Sequence, residues 1–165
     1  ALSTGQGLLG MKGADLRDEG KSAAEIEEAV NALRPRVNTS FVPDRLDYLY
    51  KGGRCSKLAM YGANILHIHP MIDMKEGQLG VKKKYRGKMT MCIRSYIEEL
   101  KREYPVYDKT RCFVTHSSAD AELVALAKDM VASLFDFDQV IETVAGSVIT
   151  GHCGRNTLGV LFIHD

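Results

Sequence analysis

Gly146-Ser147-Val148-Ile149-Thr150-Gly151-His152-Cys153-Gly154 is the stretch on which the reading of this chain turns. The β-branched pair Val148 and Ile149 predicts a strand, and glycines on either side of His152 predict a tight turn after it. Amide groups exposed in such a turn, beside an imidazole, suit an anionic or carbonyl oxygen. A turn whose histidine only bonds a neighbouring carbonyl is the plainer alternative.

Working outward, Gln139 to Val144 predicts a strand before this stretch and Thr157 to Ile163 another after it. Upstream, Arg111 to Thr115 predicts a buried strand with His116 at its carboxyl end. Ser117 or Ser118 is expected to cap a helix with the inner face Leu123, Leu126, Ala127, Met130 and Leu134. Met89, Ile93, Tyr96, Ile97 and Leu100 mark an amphipathic helix that stops before Pro105. Leu66 to Met74 and the segment through Tyr85 read as a hairpin turned at Glu76-Gly77. Its second strand runs into Lys82-Lys83-Lys84-Tyr85-Arg86-Gly87-Lys88, a local positive patch.

Toward the amino end, Val37 to Val42 predicts a short strand. Asp44 is expected to cap a helix carrying Leu46, Tyr48 and Leu49 that stops at Lys51-Gly52-Gly53-Arg54, and Ser56 to Asn64 predicts another short helix. Ser22-Ala23-Ala24-Glu25 is a capping box for a helix with Ala23, Ile26, Val30 and Leu33 inward. Ser3 and Thr4 are expected to cap a helix through about Asp18. Four glycines (5, 7, 10, 13) tax that helix by about 1 kcal/mol each relative to Ala, which implies close packing against something. The expected fold is a two-layer α/β domain, 1–165, with a six-stranded mixed sheet and helices mainly on one face.

The 165 residues and their 45% hydrophobic content suffice for one core. A net charge of +1 gives no general attraction to nucleic acid or to an anionic membrane. No apolar run is long enough for stable membrane insertion. Cys55, Cys92, Cys112 and Cys153 lie far apart without a CxxC pair, which fits reduced thiols and a cytoplasmic location. The chain opens on Ala1 rather than Met, which leaves room for residues upstream. His67 and His69 share a strand face, but no third ligand has metal-site spacing, so no metal is expected. Arg54 at the double-glycine corner suits a carboxylate or phosphate.

Three segments together resemble the DegV family: Leu46 to Arg54, Tyr85-Arg86-Gly87-Lys88, and Gly146 through His152 to Gly154-Arg155-Asn156-Thr157-Leu158-Gly159. The Ser3-Thr4-Gly5-Gln6-Gly7-Leu8-Leu9 start and the Ile65 to Pro70 segment also fit. The resemblance covers essentially the entire chain, and only the family's carboxy-terminal domain. It implies a long-chain fatty acid, palmitate-like, held against an upstream amino-terminal domain that this chain lacks. Arg54 and His152 would then stand on the carboxylate side, and Arg86 would dock the catalytic subunit of a fatty-acid kinase. No cofactor and no catalysis by this chain are implied; the partner would transfer the phosphoryl group. Arg155-Asn156 departs from the Pro-Gly usual after the second glycine. His67 and His69 depart from common Asn and Lys. Two other functions remain open: a small-substrate enzyme related to phosphotransfer, with His152 and His116 as acid–base groups, and an interaction module that uses Lys82 to Lys88.

Overall fold

The structure is a computed structural model that describes residues 1–54, 68–75 and 77–165. The expected Ser56 to Asn64 helix, Cys55 and His67 lie outside those residues.

Helix α1 (Gly5–Asp18) is followed by α2 (Ala23–Leu33), whose capping box forms as read: Ser22 Oγ accepts from Glu25 N, and Glu25 accepts from Ser22 N. A 3-10 turn at Arg34–Arg36 leads to β1 (Val37–Asn38) and β2 (Phe41–Val42). Next come α3 (Asp47–Lys51), the hairpin β3 (Ile68–Lys75) and β4 (Gln78–Arg86), and α4 (Met89–Glu103). The chain ends with β5 (Cys112–Ser117), α5 (Ala121–Leu134), β6 (Val140–Val144), α6 (Ser147–Cys153) and β7 (Thr157–Ile163).

The α/β class and the mixed sheet are as expected. The sheet runs β4-β3-β2-β7-β5-β6, with β1 also on β7. Only β5 and β6 are parallel, and α5 connects them. Among the described residues seven strands appear instead of six, because the expected strand from Val37 to Val42 is cut in two. Both pieces keep one register on β7, with Asn38 opposite Phe162 and Phe41 opposite Gly159. At the break the phenol of Tyr96, from α4, stands in the ladder. It donates to Ser40 O at 2.8 Å and accepts from Val160 N at 3.1 Å.

Alternation along β7 divides the interior. Leu158, Val160 and Phe162 join Cys92, Ile93, Tyr96, Ile97, Leu100, Leu123 and Val131 under α4 and α5. Leu161 and Ile163 face the other way, onto Leu8 and Leu9 of α1 with Val37 and Phe113. On that same side Phe41, Leu49, Ile72 and Cys153 form a third cluster with α3 and α6. Helices therefore cover both faces, where the sequence suggested mainly one. The glycine-rich α1 makes this possible: a carbon added at Gly5 would lie 2.9 Å from Thr39 Cγ2.

The opening stretch is corrected. Val148 and Ile149 form no strand; they begin α6, entered from an extended Gly146. Ile149 and Cys153, four residues apart, both turn toward the Phe41–Leu49 cluster, and Val148 is left 70% exposed. Burial of one helical face overrides the local β preference. Gly151 is an ordinary helical residue, and Gly154 alone of the pair has positive φ, +78°.

Three caps also differ. Thr4 stands at the start of α1 but spends its hydroxyl on Thr115 (2.6 Å). Leu46 rather than Asp44 precedes α3. Asp120 precedes α5, and Ala119 N before it donates to His116 Nδ1 at 3.2 Å.

Candidate functional site

The two glycine-framed segments singled out from sequence meet. His152, in the last turn of α6, lies against Gly52 at the end of α3: a carbon on Gly52 would stand 2.3 Å from His152 Nδ1. In return the Tyr48 ring of α3 covers Gly154, where an added carbon would come within 2.6 Å of Tyr48 Cδ2. Gly52 and Gly53 serve different needs. Gly52 has ordinary helical φ and is needed for contact; Gly53, at φ +65°, turns the chain toward Arg54. Arg54 is exposed, and its Nη1 donates to Gly52 O at 3.3 Å. Among the described residues it has no carboxylate partner. Arg54 and His152 thus share one corner, separated by a single glycine.

Beside this corner the sheet carries a cleft of about 40 Å³ on the face away from α4 and α5. Its floor is Thr157, Gly159 and Leu161 of β7, with Thr39 and Phe41 on one side and Thr115 and Ser117 of β5 on the other. Leu2, Ser3, Ala145, Ile149 and Cys153 form the walls. At about 10–15 Å³ per water, the space holds about three waters. The Cys153 thiol, pushed up to about 11 by burial, stays protonated at neutral pH.

This cleft was missed from sequence. Ser3 was read as a cap, and the threonines were read as strand formers. The available signal was hydroxyl groups two apart on a strand, as in Thr115 and Ser117.

His116 does not line the cleft, and the His116–His152 acid–base pair is not assembled around it. The ring is engaged at both nitrogens, with Nε2 3.3 Å from Glu142 Oε1 and Nδ1 accepting from Ala119 N. Glu142 is held below the usual carboxylate range by hydrogen bonds from Lys128 and then His116. His69 is buried with Nδ1 3.4 Å from Pro43 O and 3.7 Å from Asp44 Oδ1.

Two lysines of the basic run are held by acids. Lys83 pairs with Glu99, while Lys82 pairs with Glu103 and, at 3.3 Å, with Asp73. Burial disfavours the charge on Lys82, yet the Glu103 hydrogen bond and nearby acids hold it above the usual lysine range. Arg86 closes β4 at the sheet edge, exposed and without an ion pair among the described residues, and it is not a cleft residue. Asn156, where Pro-Gly was the usual pattern, takes φ +57° as glycine would, and exchanges hydrogen bonds with Asp120.

An α/β half-shell with an open cleft beside a His–Arg corner defines the class, and comparison with known proteins gives the family. The model of the DegV family, described as "Uncharacterised protein, DegV family", matches residues 1–165, and the chain belongs to this family. A DegV domain-containing protein of Clostridium acetobutylicum is 32% identical over 162 residues, which span 98% of this chain and 56% of that protein. The chain thus spans about half the length of the curated relatives it matches. A DegV lipid-binding protein from Thermotoga maritima superposes with a TM-score of 0.79 at 24% identity, over 95% of this chain and 54% of that one. The fatty acid kinase B3 protein of Streptococcus pneumoniae, loaded with linoleic acid, does so with a TM-score of 0.79 at 24% identity, over 96% and 55%. Among the described residues no helix is long and apolar enough to cross a membrane.

Proposed function

We propose that this chain is the carboxy-terminal half of a fatty-acid carrier. The cleft would form one wall of the site and an amino-terminal domain the other. The observation that carries this reading is the open cleft beside the corner that Arg54 and His152 share. At about 0.8 kcal/mol per buried methylene, a palmitate-length tail supplies most of the affinity, and the charged corner fixes the head. An exposed arginine, without a carboxylate partner among the described residues, and an imidazole against the neighbouring Gly52 suit that carboxylate. The carrier would hold its cargo without a cofactor and present it in the cytoplasm to a separate fatty-acid kinase, which performs the phosphoryl transfer. Arg86, remote from the cleft, would belong to the surface that meets the kinase.

Native mass spectrometry of the protein purified from cells is the test. A bound mass corresponding to a long-chain fatty acid is expected. His152→Ala should keep the tail but weaken the acid by about 1.5–3 kcal/mol, the range for a hydrogen bond to a charged group. A lipid-free protein that also fails to take up added fatty acid would overturn the proposal.

A further inference from the structure

Two short helices carry the corner where His152 and Arg54 meet. α3 has five residues and α6 seven, and below about 12–15 residues an isolated helix is marginal in water. Their ends are therefore fixed by what they touch. Each helix offers the other a ring and a glycine: His152 packs on Gly52, and Tyr48 packs on Gly154, which caps α6. Tyr48 and Gly52 stand four residues apart on one face of α3, and Gly154 follows His152 by two residues.

The Tyr48 contact is made by ring carbons. Gly154 leaves α6 at φ +78° and ψ 174°, a region nearly reserved for glycine, and a carbon added there would lie 2.6 Å from Tyr48 Cδ2, 2.9 Å from Cε2 and 3.1 Å from Cγ. Arg45, itself held by two hydrogen bonds of 3.0 Å to Asp47, has its guanidinium carbon 5.8 Å from the centre of the same ring. Tyr48 is nonetheless 41% exposed, and the neighbouring Leu49 is the α3 residue that enters the core. Core burial does not account for a ring at this position; the seat on Gly154 does.

We propose that Tyr48 is a positioning residue for the fatty-acid head: seated on Gly154, its ring fixes the end of α6 and so holds the His152 imidazole against Gly52, next to Arg54. Without the ring, α6 loses the contact at its last turn and the imidazole loses its fixed place. The cleft keeps its walls, because Tyr48 is not one of its lining residues. This rests on the carrier reading and adds the residue that sets the geometry of the head.

The test uses the full native polypeptide, stripped of lipid, and compares hexadecanoic acid with hexadecanol, which has the same tail and no carboxylate. Tyr48→Ala should weaken binding of the acid about tenfold, near the lower bound for one hydrogen bond to a charged group, and change that of the alcohol by less than about twofold. Tyr48→Phe keeps every ring carbon and should bind both ligands as the parent does. Tyr48→Leu, bulky but without a flat face, should show a selective loss of the same kind and guards against a folding defect in the alanine variant. In a His152→Ala background, Tyr48→Ala should cost the acid less than about twofold more. Equal losses of acid and alcohol in both the alanine and leucine variants would make Tyr48 part of the scaffold, and a phenylalanine variant as weak as alanine would place the role on the hydroxyl. Either result, or an alanine variant that binds the acid like the parent, overturns this inference and leaves the carrier reading standing. A parent that binds neither ligand overturns the carrier reading and this one with it.

Discussion

The two faces of the sheet are built from the same strands and do different work. Under α4 and α5 lies one continuous cluster in which Tyr96, Phe162, Ile93, Ile97 and Leu100 are fully buried. Of its three buried tyrosines, Tyr96 is fully enclosed, and its phenol is bonded to both strands it separates. On the opposite face the apolar residues split into two smaller clusters, one with α1 and one with α3 and α6, and the cleft opens between them. Side chains there line space instead of filling it. One face is closed by packing; the other is left open for something to occupy.

The comparison breaks first at Tyr96, where the largest effect is expected. Tyr96→Phe keeps the ring and removes one oxygen, leaving Ser40 O and Val160 N without their partner in a fully buried place. At about 1–3 kcal/mol for each stranded group, a loss of about 2–6 kcal/mol is expected. Chemical denaturation checks the loss, and fatty-acid affinity of the still-folded variant should be unchanged. A variant as stable as the parent would mean that the two strands close the ladder without the phenol.

Gly52→Ala probes the other face. The added carbon would occupy the place of His152 Nδ1 and also approach Tyr48 O at 3.1 Å. The ring can swing away, so about 1–2 kcal/mol is expected, at the mild end of overpacking. If Gly52 matters because it seats His152, this variant and His152→Ala should lower fatty-acid affinity alike, and the double variant should add little. Additive losses measured by calorimetry would separate the two residues.

These contrasts also mark what the sequence could disclose. Local signals sufficed where local physics decides: the Ser22–Glu25 box, the amphipathic Met89–Glu103 helix, the Gly77 turn and the Thr157–Ile163 strand all stand as read. The α6 error came from trusting Val148 and Ile149 locally, when a helical face only seven residues long is chosen by the Phe41–Leu49 cluster it meets. The break at Ser40 depends on Tyr96, 56 positions away, and no local pattern carries it. At the site, Arg54 and His152 could be named from residue type and glycine context. Their meeting across Gly52, and the cleft beside them, arise only when distant segments pack.

A smaller effect is expected where α1 is tied to Arg111, just ahead of β5. Asp15 receives two hydrogen bonds from Arg111, at 2.6 and 3.1 Å. The Arg111 hydrogen bond, opposed by partial burial, holds the Asp15 carboxyl below its usual value. A depressed folded pKa contributes stability that is complete above the unfolded carboxylate range and is lost as pH falls through the lower folded value. Asp15→Asn should therefore cost about 1 kcal/mol near neutrality, the pair being partly exposed. The difference from the parent should close as urea titrations move from about pH 6 to about pH 3. A gap that persists in acid would assign the loss to packing and not to charge.

The smallest effect on fold and cargo belongs to Arg86, which stands on neither side of the contrast. It lies at the outer end of the edge strand β4, where Lys82 and Lys83 are already held by Glu103, Asp73 and Glu99. Removing Lys82 would free Glu103 and Asp73 and disturb how β4 sits on α4. Arg86→Ala removes a charge with no ion pair among the described residues, so stability should shift by less than about 0.5 kcal/mol. Lipid extracted from the variant should equal that from the parent, because Arg86 touches neither the cleft nor the His152 corner. An arginine left unpaired at an edge is nonetheless well placed for a partner's carboxylate, and at the centre of an interface its loss can cost about 2 kcal/mol or more. Pulldown of the fatty-acid kinase subunit by parent and variant, alongside lipid extraction, separates the two outcomes. Reduced capture with full lipid content would assign docking to the sheet edge and cargo to the cleft, whereas parallel loss of both would tie the edge to the cleft.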